Sequence, residues 1–435
     1  MGQREGAGAG EDEFRDGGER DYEVWDGGEG LKERMKDRAG GADMELVLHP
    51  KSEIEARTKK LQSRMEDLDG AIIFQSVDML YFSGTAQEGL VYVPAEPEAQ
   101  SVVMVRKSLD RAREESPLEV RELRSLKNLK ADLAIPPGAR IGLELDVLPF
   151  NNYARVKAAL GDAEFVDISE EIKQVRSVKS KFEVRLLKGA ARILDAGIGS
   201  VPDHLREGMA EIELASKIEA EMRSLGHQGT VRFRRFNHDL PLGHLMAGPN
   251  AAYPSYVASP TGGVGPSLLQ PQGPGFRKIK RNEPILVDYG GVYNGYIADE
   301  TRIFSIGRLP EELEEAHAAA LEVEKAVAEA LRPGNCGREI YEISEARGEE
   351  LGYGDALGGP LGAKCGFVGH GVGLEIDEYP VLGPVDHEIL PNMTVAVEPK
   401  MIYPGIGVVG IEDTFLTTDS APERLTRLPQ GIWRV

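Results

Sequence analysis

The order of elements in the second half of the chain constrains it most: helix, helix, strand hairpin, twice over. In the first round, residues 182–198 carry Leu186, Leu187, Ala190, Ile193 and Leu194 at helical spacing. Residues 211–225 do the same with Ile212, Ala215, Ile218, Met222 and Leu225, and Gly226 stops the run. Two apolar strands follow, 284–290 and 296–306, joined at Asn294-Gly295, the dipeptide that favours a type I′ hairpin turn. In the second round, 310–331 is a helix ended by Pro333-Gly334 and 338–351 a helix ended by Gly352. The strands 394–398 and 408–416 then close around Pro404-Gly405. The repeat predicts a duplicated α+β domain with its two hairpins side by side. Between 241 and 276 runs a Gly/Pro-rich loop, too long for a mere connector and of the kind that shapes a site.

The first half reads differently. Short β-rich runs at 70–75 (GAIIFQ), 101–106 (SVVMVR) and 141–145 (IGLEL) alternate with polar helical stretches such as 53–67. That alternation is the pattern of an α/β layer domain. No glycine-rich phosphate fingerprint follows any of these strands, and no catalytic chemistry is visible among them. Residues 1–43 are dense in glycine and charge and nearly free of aliphatic side chains. Such a stretch buries too little surface to offset its ordering entropy, so a disordered tail is expected. The expected division is a tail over 1–43, an α/β domain over 44–175 and an α+β domain over 176–435.

Composition excludes several functions. With 72 acidic against 51 basic residues the formal net charge is −21, which repels a phosphate backbone and an anionic membrane surface alike. Neither nucleic acid nor membrane is an expected partner. No apolar run approaches the roughly 20 residues of a membrane-spanning helix, and an apolar secretory signal is missing from the N-terminus. The two cysteines, Cys336 and Cys365, cannot make a disulfide scaffold, so a reducing, cytoplasmic setting is expected.

Each hairpin carries two acids where its strands should be apolar. On the first, a two-residue turn at 294–295 sets residue 290 opposite 299 and 288 opposite 301. Asp288 and Asp299 are then diagonal neighbours on one face, about 7–8 Å apart at Cα. On the second, Glu398 and Glu412 are equidistant from Gly405 and should face each other. A single strand acid usually points to solvent. Four, paired about two matched turns in the most apolar strands of the chain, repel strongly unless cations neutralise them. His370, in Gly369-His370-Gly371-Val372-Gly373, adds a nitrogen donor. Oxygen-rich ligation with one imidazole suits Mn²⁺, Co²⁺, Fe²⁺ or Zn²⁺. Four carboxylates carry enough charge for two ions about 3.5–4 Å apart, bridged by hydroxide. This is the donor set of a hydrolase.

These segments resemble a known family. Val287-Asp288-Tyr289-Gly290, Ala298-Asp299-Glu300-Thr301-Arg302, the His370 segment through Leu374, Val397-Glu398-Pro399 and Ile411-Glu412-Asp413-Thr414 are similar to the M24 metallopeptidases. That family contains methionine aminopeptidase, aminopeptidase P, prolidase and the metal-free creatinase. Asp78-Met79-Leu80-Tyr81-Phe82-Ser83-Gly84-Thr85 and Val175-Arg176-Ser177-Val178-Lys179-Ser180 resemble its creatinase/prolidase branch. The resemblance implies an N-terminal α/β domain before a C-terminal pita-bread domain, homodimers, and cleavage of the N-terminal bond of short peptides with proline second. It also implies roles. Asp288, Asp299, His370, Glu398 and Glu412 would hold two divalent metals, manganese favoured, and Glu398 would carry the proton from nucleophile to leaving amine.

Three positions depart from the family pattern. Ser255 follows Asn250-Ala251-Ala252-Tyr253-Pro254 where a histidine is usual, Asp377 replaces a second histidine before Glu378, and Gly410 replaces an arginine two before Glu412. In the family these groups position the carbonyl, donate to the tetrahedral intermediate and anchor the peptide. Candidate replacements are His244, from the same loop as Ser255; Asp377 itself, as a proton carrier or as a selector of a cationic group; and Arg232, Arg234 or Arg235 as a carboxylate anchor. The leading expectation is a dinuclear metallopeptidase with Glu398, Asp377 and His244 as catalytic side chains. The departures leave two others: hydrolysis or lyase chemistry on a small amide or amidine metabolite, and a binding protein with an idle cleft.

Overall fold

The β-rich runs of the first half form the middle of a six-stranded mixed sheet. Its order is Glu119–Glu122, Val102–Val105, Gly89–Pro94, Gly70–Ile73, Arg140–Leu143, Glu164–Asp167. Side chains alternate between two cores, as the period of a strand requires. Ala71, Ile73, Val91, Val93, Val103 and Val105 face Leu61 and Ile172 in a core continuous with that of the second half. Ile72, Leu90, Met104, Ile141 and Leu143 face Leu129, Val156 and Leu160. Three strands are missing from the sequence reading: Gly89–Pro94 inside the sheet, and Glu119–Glu122 and Glu164–Asp167 at its edges, where polar residues blunt the apolar signal. The computed structural model describes residues 25–26, 45–97, 99–238, 240–359 and 362–435. The tail expected over 1–43 lies outside the described residues, apart from Trp25–Asp26, which pair in parallel with Trp433–Arg434.

In the second half all four expected helices are present, as Lys181–Gly199, Glu211–Ser224, Glu311–Ala330 and Gly337–Glu350. The first opens on a capping box, in which the Ser180 side chain accepts from the Glu183 backbone and the Glu183 carboxylate accepts from the Ser180 backbone. It lies on the first hairpin so closely that a Cβ at Gly291 would stand 2.5 Å from the Ala190 carbonyl oxygen. That hairpin, Ile285–Tyr293 with Tyr296–Ser305, turns through positive φ at Asn294 and Gly295, and its register sets Gly290 opposite Asp299 and Asp288 opposite Thr301. The predicted register is the observed one.

The second hairpin is built in two stretches. Thr394–Val397 pairs with Asp413–Leu416, and Lys400–Tyr403 pairs with Gly407–Gly410. The register is the same on both sides of the gap, with Val397 opposite Asp413 and Lys400 opposite Gly410. Glu398 and Glu412 therefore fall opposite each other across a break at Pro399, which has no N–H to give to a ladder. The hairpins meet where Thr301 and Glu412 exchange backbone hydrogen bonds of 3.2 and 3.4 Å. Part of the expected 241–276 loop is regular: Gly243–Ala247 is a strand against Ile285–Tyr293, with His244 opposite Asp288.

Candidate metal centre

The four acids and the histidine converge on one cleft, whose lining also includes His244, Asp377, Phe233, Arg235 and Gln272. One donor atom from each of Asp299, His370 and Glu412 lies within 4.8 Å of the others, close enough to share an ion. The His370 Nδ1 faces the Gly371 carbonyl at 3.1 Å, which keeps its proton there and leaves Nε2, 3.5 Å from Glu398, as the donor toward the cleft. Around these groups a polar frame fixes the backbone. Thr414 Oγ1 accepts from the Asp299 N–H at 2.8 Å and donates to the Asp299 carbonyl at 2.9 Å. Thr301 Oγ1 donates to Glu412 Oε2 at 2.8 Å, and buried Arg302 donates to the Glu412 carbonyl at 2.9 Å while paired with Asp413.

A lysine that the sequence reading did not weigh completes the cluster. Lys400 is buried, and its Nζ lies 2.9 Å from Asp288 Oδ2, 2.8 Å from Glu398 Oε2 and 2.9 Å from Glu412 Oε2. Spacing hints at only one of its partners, since residues two apart on an extended segment share a face and Lys400 follows Glu398 by two. Burial pulls the ammonium's pKa down, but Asp288, Glu398 and Glu412 outweigh it and hold the group well above the ordinary lysine range. Burial also pushes the Asp288 carboxyl up, and Lys400 more than offsets it. Asp299 goes the other way. Burial, then repulsion from Glu412, Asp288 and Glu398, raises it well above the carboxylate range. Glu412 is pushed up to about 7, first by burial and against the pull of Lys400. A pocket that raises Asp299 and Glu412 so far is short of positive charge at their end, and a divalent cation fits there. Where Asp288, Glu398 and Glu412 meet, the Lys400 ammonium stands between their oxygens.

The remaining candidates separate. The Gln272 amide takes the Ser255 hydroxyl on its oxygen at 2.9 Å and donates to His244 Nε2 at 2.6 Å. His244 then keeps its proton on Nδ1, and burial, with Lys400 nearby, lowers its pKa despite Asp288. Asp377 is raised to about 6, by burial first and Glu375 second, against Arg235 at 3.4 Å. Of the three arginines offered as an anchor, Arg234 is committed elsewhere, to Asp78 at 2.7 Å and Asp146 at 2.8 Å. Arg232 lines a different cavity, beside Tyr293 and Leu374. Arg235 lines the cleft.

The two other segments behind the resemblance meet in a buried ion cluster next to the cleft. Arg176 contacts Asp78 at 2.6 Å, Glu375 at 2.8 Å and Glu378 at 2.6 Å, and Lys179 adds a contact to Glu378 at 3.1 Å. These partners come from both halves of the chain, and two of them, Glu375 and Glu378, flank Asp377 in the sequence.

Comparison with known proteins agrees with this arrangement. Residues 185–419 match the metallopeptidase family M24 and residues 57–178 the creatinase/prolidase N-terminal domain. The chain is 29% identical over 379 residues to an Xaa-Pro dipeptidase of Pyrococcus furiosus, covering 86% of this chain and 99% of the relative. An uncharacterized peptidase of Bacillus subtilis is 27% identical over 374 residues, covering 84% and 95%. Among solved structures, an Xaa-Pro dipeptidase from Bacillus anthracis gives a TM-score of 0.74 at 26% identity, over 88% of this chain and 100% of that one. An X-Pro aminopeptidase from Thermotoga maritima gives 0.71 at 26% identity, over 86% and 99%. The duplicated helix–helix–hairpin unit is thus a pita-bread domain behind an α/β N-terminal one, and the chain belongs to metallopeptidase family M24.

Proposed function

We propose that this chain is a metal-dependent peptidase that hydrolyses Xaa-Pro dipeptides. The observation that carries the reading is the approach of Asp299, His370 and Glu412 within 4.8 Å on the wall of a cleft. A divalent ion held by these three, manganese favoured, would polarise the scissile carbonyl and acidify a water. The chain's own residues supply the rest. Glu398 faces the cleft between Lys400 and His370, and burial raises its pKa, so it can take a proton from the attacking water and return it to the leaving nitrogen. His244 offers its Nδ1 proton to a substrate oxygen, in place of the histidine absent at Ser255. Phe233, Leu240 and Ile376 give the cleft apolar walls that suit a proline ring and exclude water. Arg235, half-exposed beside Asp377, takes the carboxylate of the dipeptide.

Metal-stripped protein titrated with Mn²⁺, Co²⁺, Fe²⁺ or Zn²⁺ should recover turnover of Xaa-Pro dipeptides. Turnover confined to small cyclic or N-acylated amides would favour the metabolite reading, which Ser255 and Asp377 support. Metal binding without any turnover would favour a binding protein. Arg235→Ala should raise KM for a dipeptide by roughly 10-fold, the low end for a charged hydrogen bond, with little change in kcat. A dipeptide amide, which has no carboxylate, should be turned over equally by both proteins. Among the described residues no helix is long and apolar enough to cross a membrane. The proposal extends to a cytoplasmic homodimer, supported by the family likeness and the cysteine count, and sedimentation velocity tests the dimer.

A further inference from the structure

We infer that the Lys400 ammonium is a built-in cation occupying one of the two positions created by these five residues, so that the centre takes a single divalent ion, at Asp299, His370 and Glu412. This rests on the metal-dependent reading above and narrows it.

The ammonium is fully used. It has three N–H donors, and three carboxylates accept them at 2.9, 2.8 and 2.9 Å. Its stem has a dedicated path. Lys400 stands opposite Gly410, where an added Cβ would lie 2.8 Å from the Lys400 Cα, 3.1 Å from its Cγ and 2.6 Å from the Pro399 carbonyl oxygen. A side chain at 410 would crowd the lysine, and glycine leaves it room. The lysine is also anchored, since its carbonyl accepts from the Gly358 N–H at 2.9 Å and Met401 beside it is buried in the core. Lys400 holds one oxygen each of Asp288 and Glu398, so an ion drawn onto the remaining two would stand against a buried ammonium and be repelled by it. Displacing the lysine instead would strip a buried ammonium of its carboxylate partners, a strongly unfavourable state.

The other end of the cluster is open to an ion. Glu412 gives Oε2 to Lys400 and Thr301 and so has a second oxygen to offer. Asp299 and His370 make no contact with the lysine within hydrogen-bond range. The five donors thus divide into an ammonium pocket and a one-ion pocket that share Glu412. Asp288 belongs to the first, Asp299 and His370 to the second, and Glu398 stands between them. Lys400 acts as a positioning residue, gathering three acids that would otherwise repel.

Equilibrium titration of metal-stripped protein with Mn²⁺, read by calorimetry and by electron paramagnetic resonance, tests this without reference to activity. One ion per chain with the six-line spectrum of an isolated Mn²⁺ is expected. Two ions per chain with an exchange-coupled spectrum would overturn the inference and leave the proposed function standing. No bound ion would overturn both. In Lys400→Gly a second ion should enter and the spectrum should become coupled; a variant that folds and still takes one ion counts against the inference. Should that variant fail to fold, Asp288→Asn and Asp299→Asn decide. The first should keep its ion and the second lose it, and loss in both would overturn the assignment.

Discussion

Asp299→Ala is expected to release the bound ion and lower kcat/KM for an Xaa-Pro dipeptide by on the order of 10³-fold, the scale of losing a principal electrostatic stabiliser. Asp299 is one of three donors within 4.8 Å, and the neighbouring acids Asp288 and Glu398 are each tied by one oxygen to Lys400. The same substitution should not weaken the metal-free fold. Burial and three neighbouring acids raise the Asp299 pKa, so its ionised form is disfavoured in the folded state at any pH above its unfolded value. Removing the group removes that cost, and the thermal midpoint of the stripped variant should equal or exceed that of stripped wild type. Metal content by mass spectrometry, turnover and melting are three separate readouts. Full metal content with unchanged turnover would sink the assignment.

Arg176→Met should have the opposite signature, a large loss of stability with the metal donors untouched. Arg176 is buried between Asp78, Glu375 and Glu378, and without it these carboxylates lose their shared counter-charge. Breaking a buried ion cluster on one side costs about 3–5 kcal/mol. At about 2–4 °C per kcal/mol for a domain of this size, the thermal midpoint should fall by roughly 6–20 °C. The pH dependence identifies the cause. Burial would raise the Glu378 carboxyl, but Arg176 and Lys179 hold it down at about 2, below its ordinary 4.5. Its contribution is present above the unfolded value and is lost as the pH falls toward 2. The gap between wild type and variant should therefore be full at neutral pH and narrow under acid. A gap independent of pH would point to lost packing.

What could be read from the chain alone depended on whether a signal was local. Asn294-Gly295 defines its own turn, so the pairing of Gly290 with Asp299 followed from two residues and a count. The long helices were legible because their apolar faces repeat and glycine or proline ends them. Gly243–Ala247 was not, because glycines and prolines surround it and its strand character comes from pairing with Ile285–Tyr293. The arginine run at 232–235 shows the same limit. Adjacent charges look alike in sequence, yet Arg234 is buried against Asp78, which lies far away in the chain, and Arg235 lines the cleft. Lys400 is the sharpest case. A lone lysine beside a proline looks solvated, and its burial is created by three acids arriving from two hairpins.

The even spacing of the second hairpin has a consequence for how such a chain can change over generations. Surface loops usually absorb gained or lost residues without harm. Here one codon added to either arm, between the Gly405 tip and its acid, would turn Glu398 or Glu412 to the opposite face and scatter the cluster. Substitution can reshape this ribbon, but a change of length cannot.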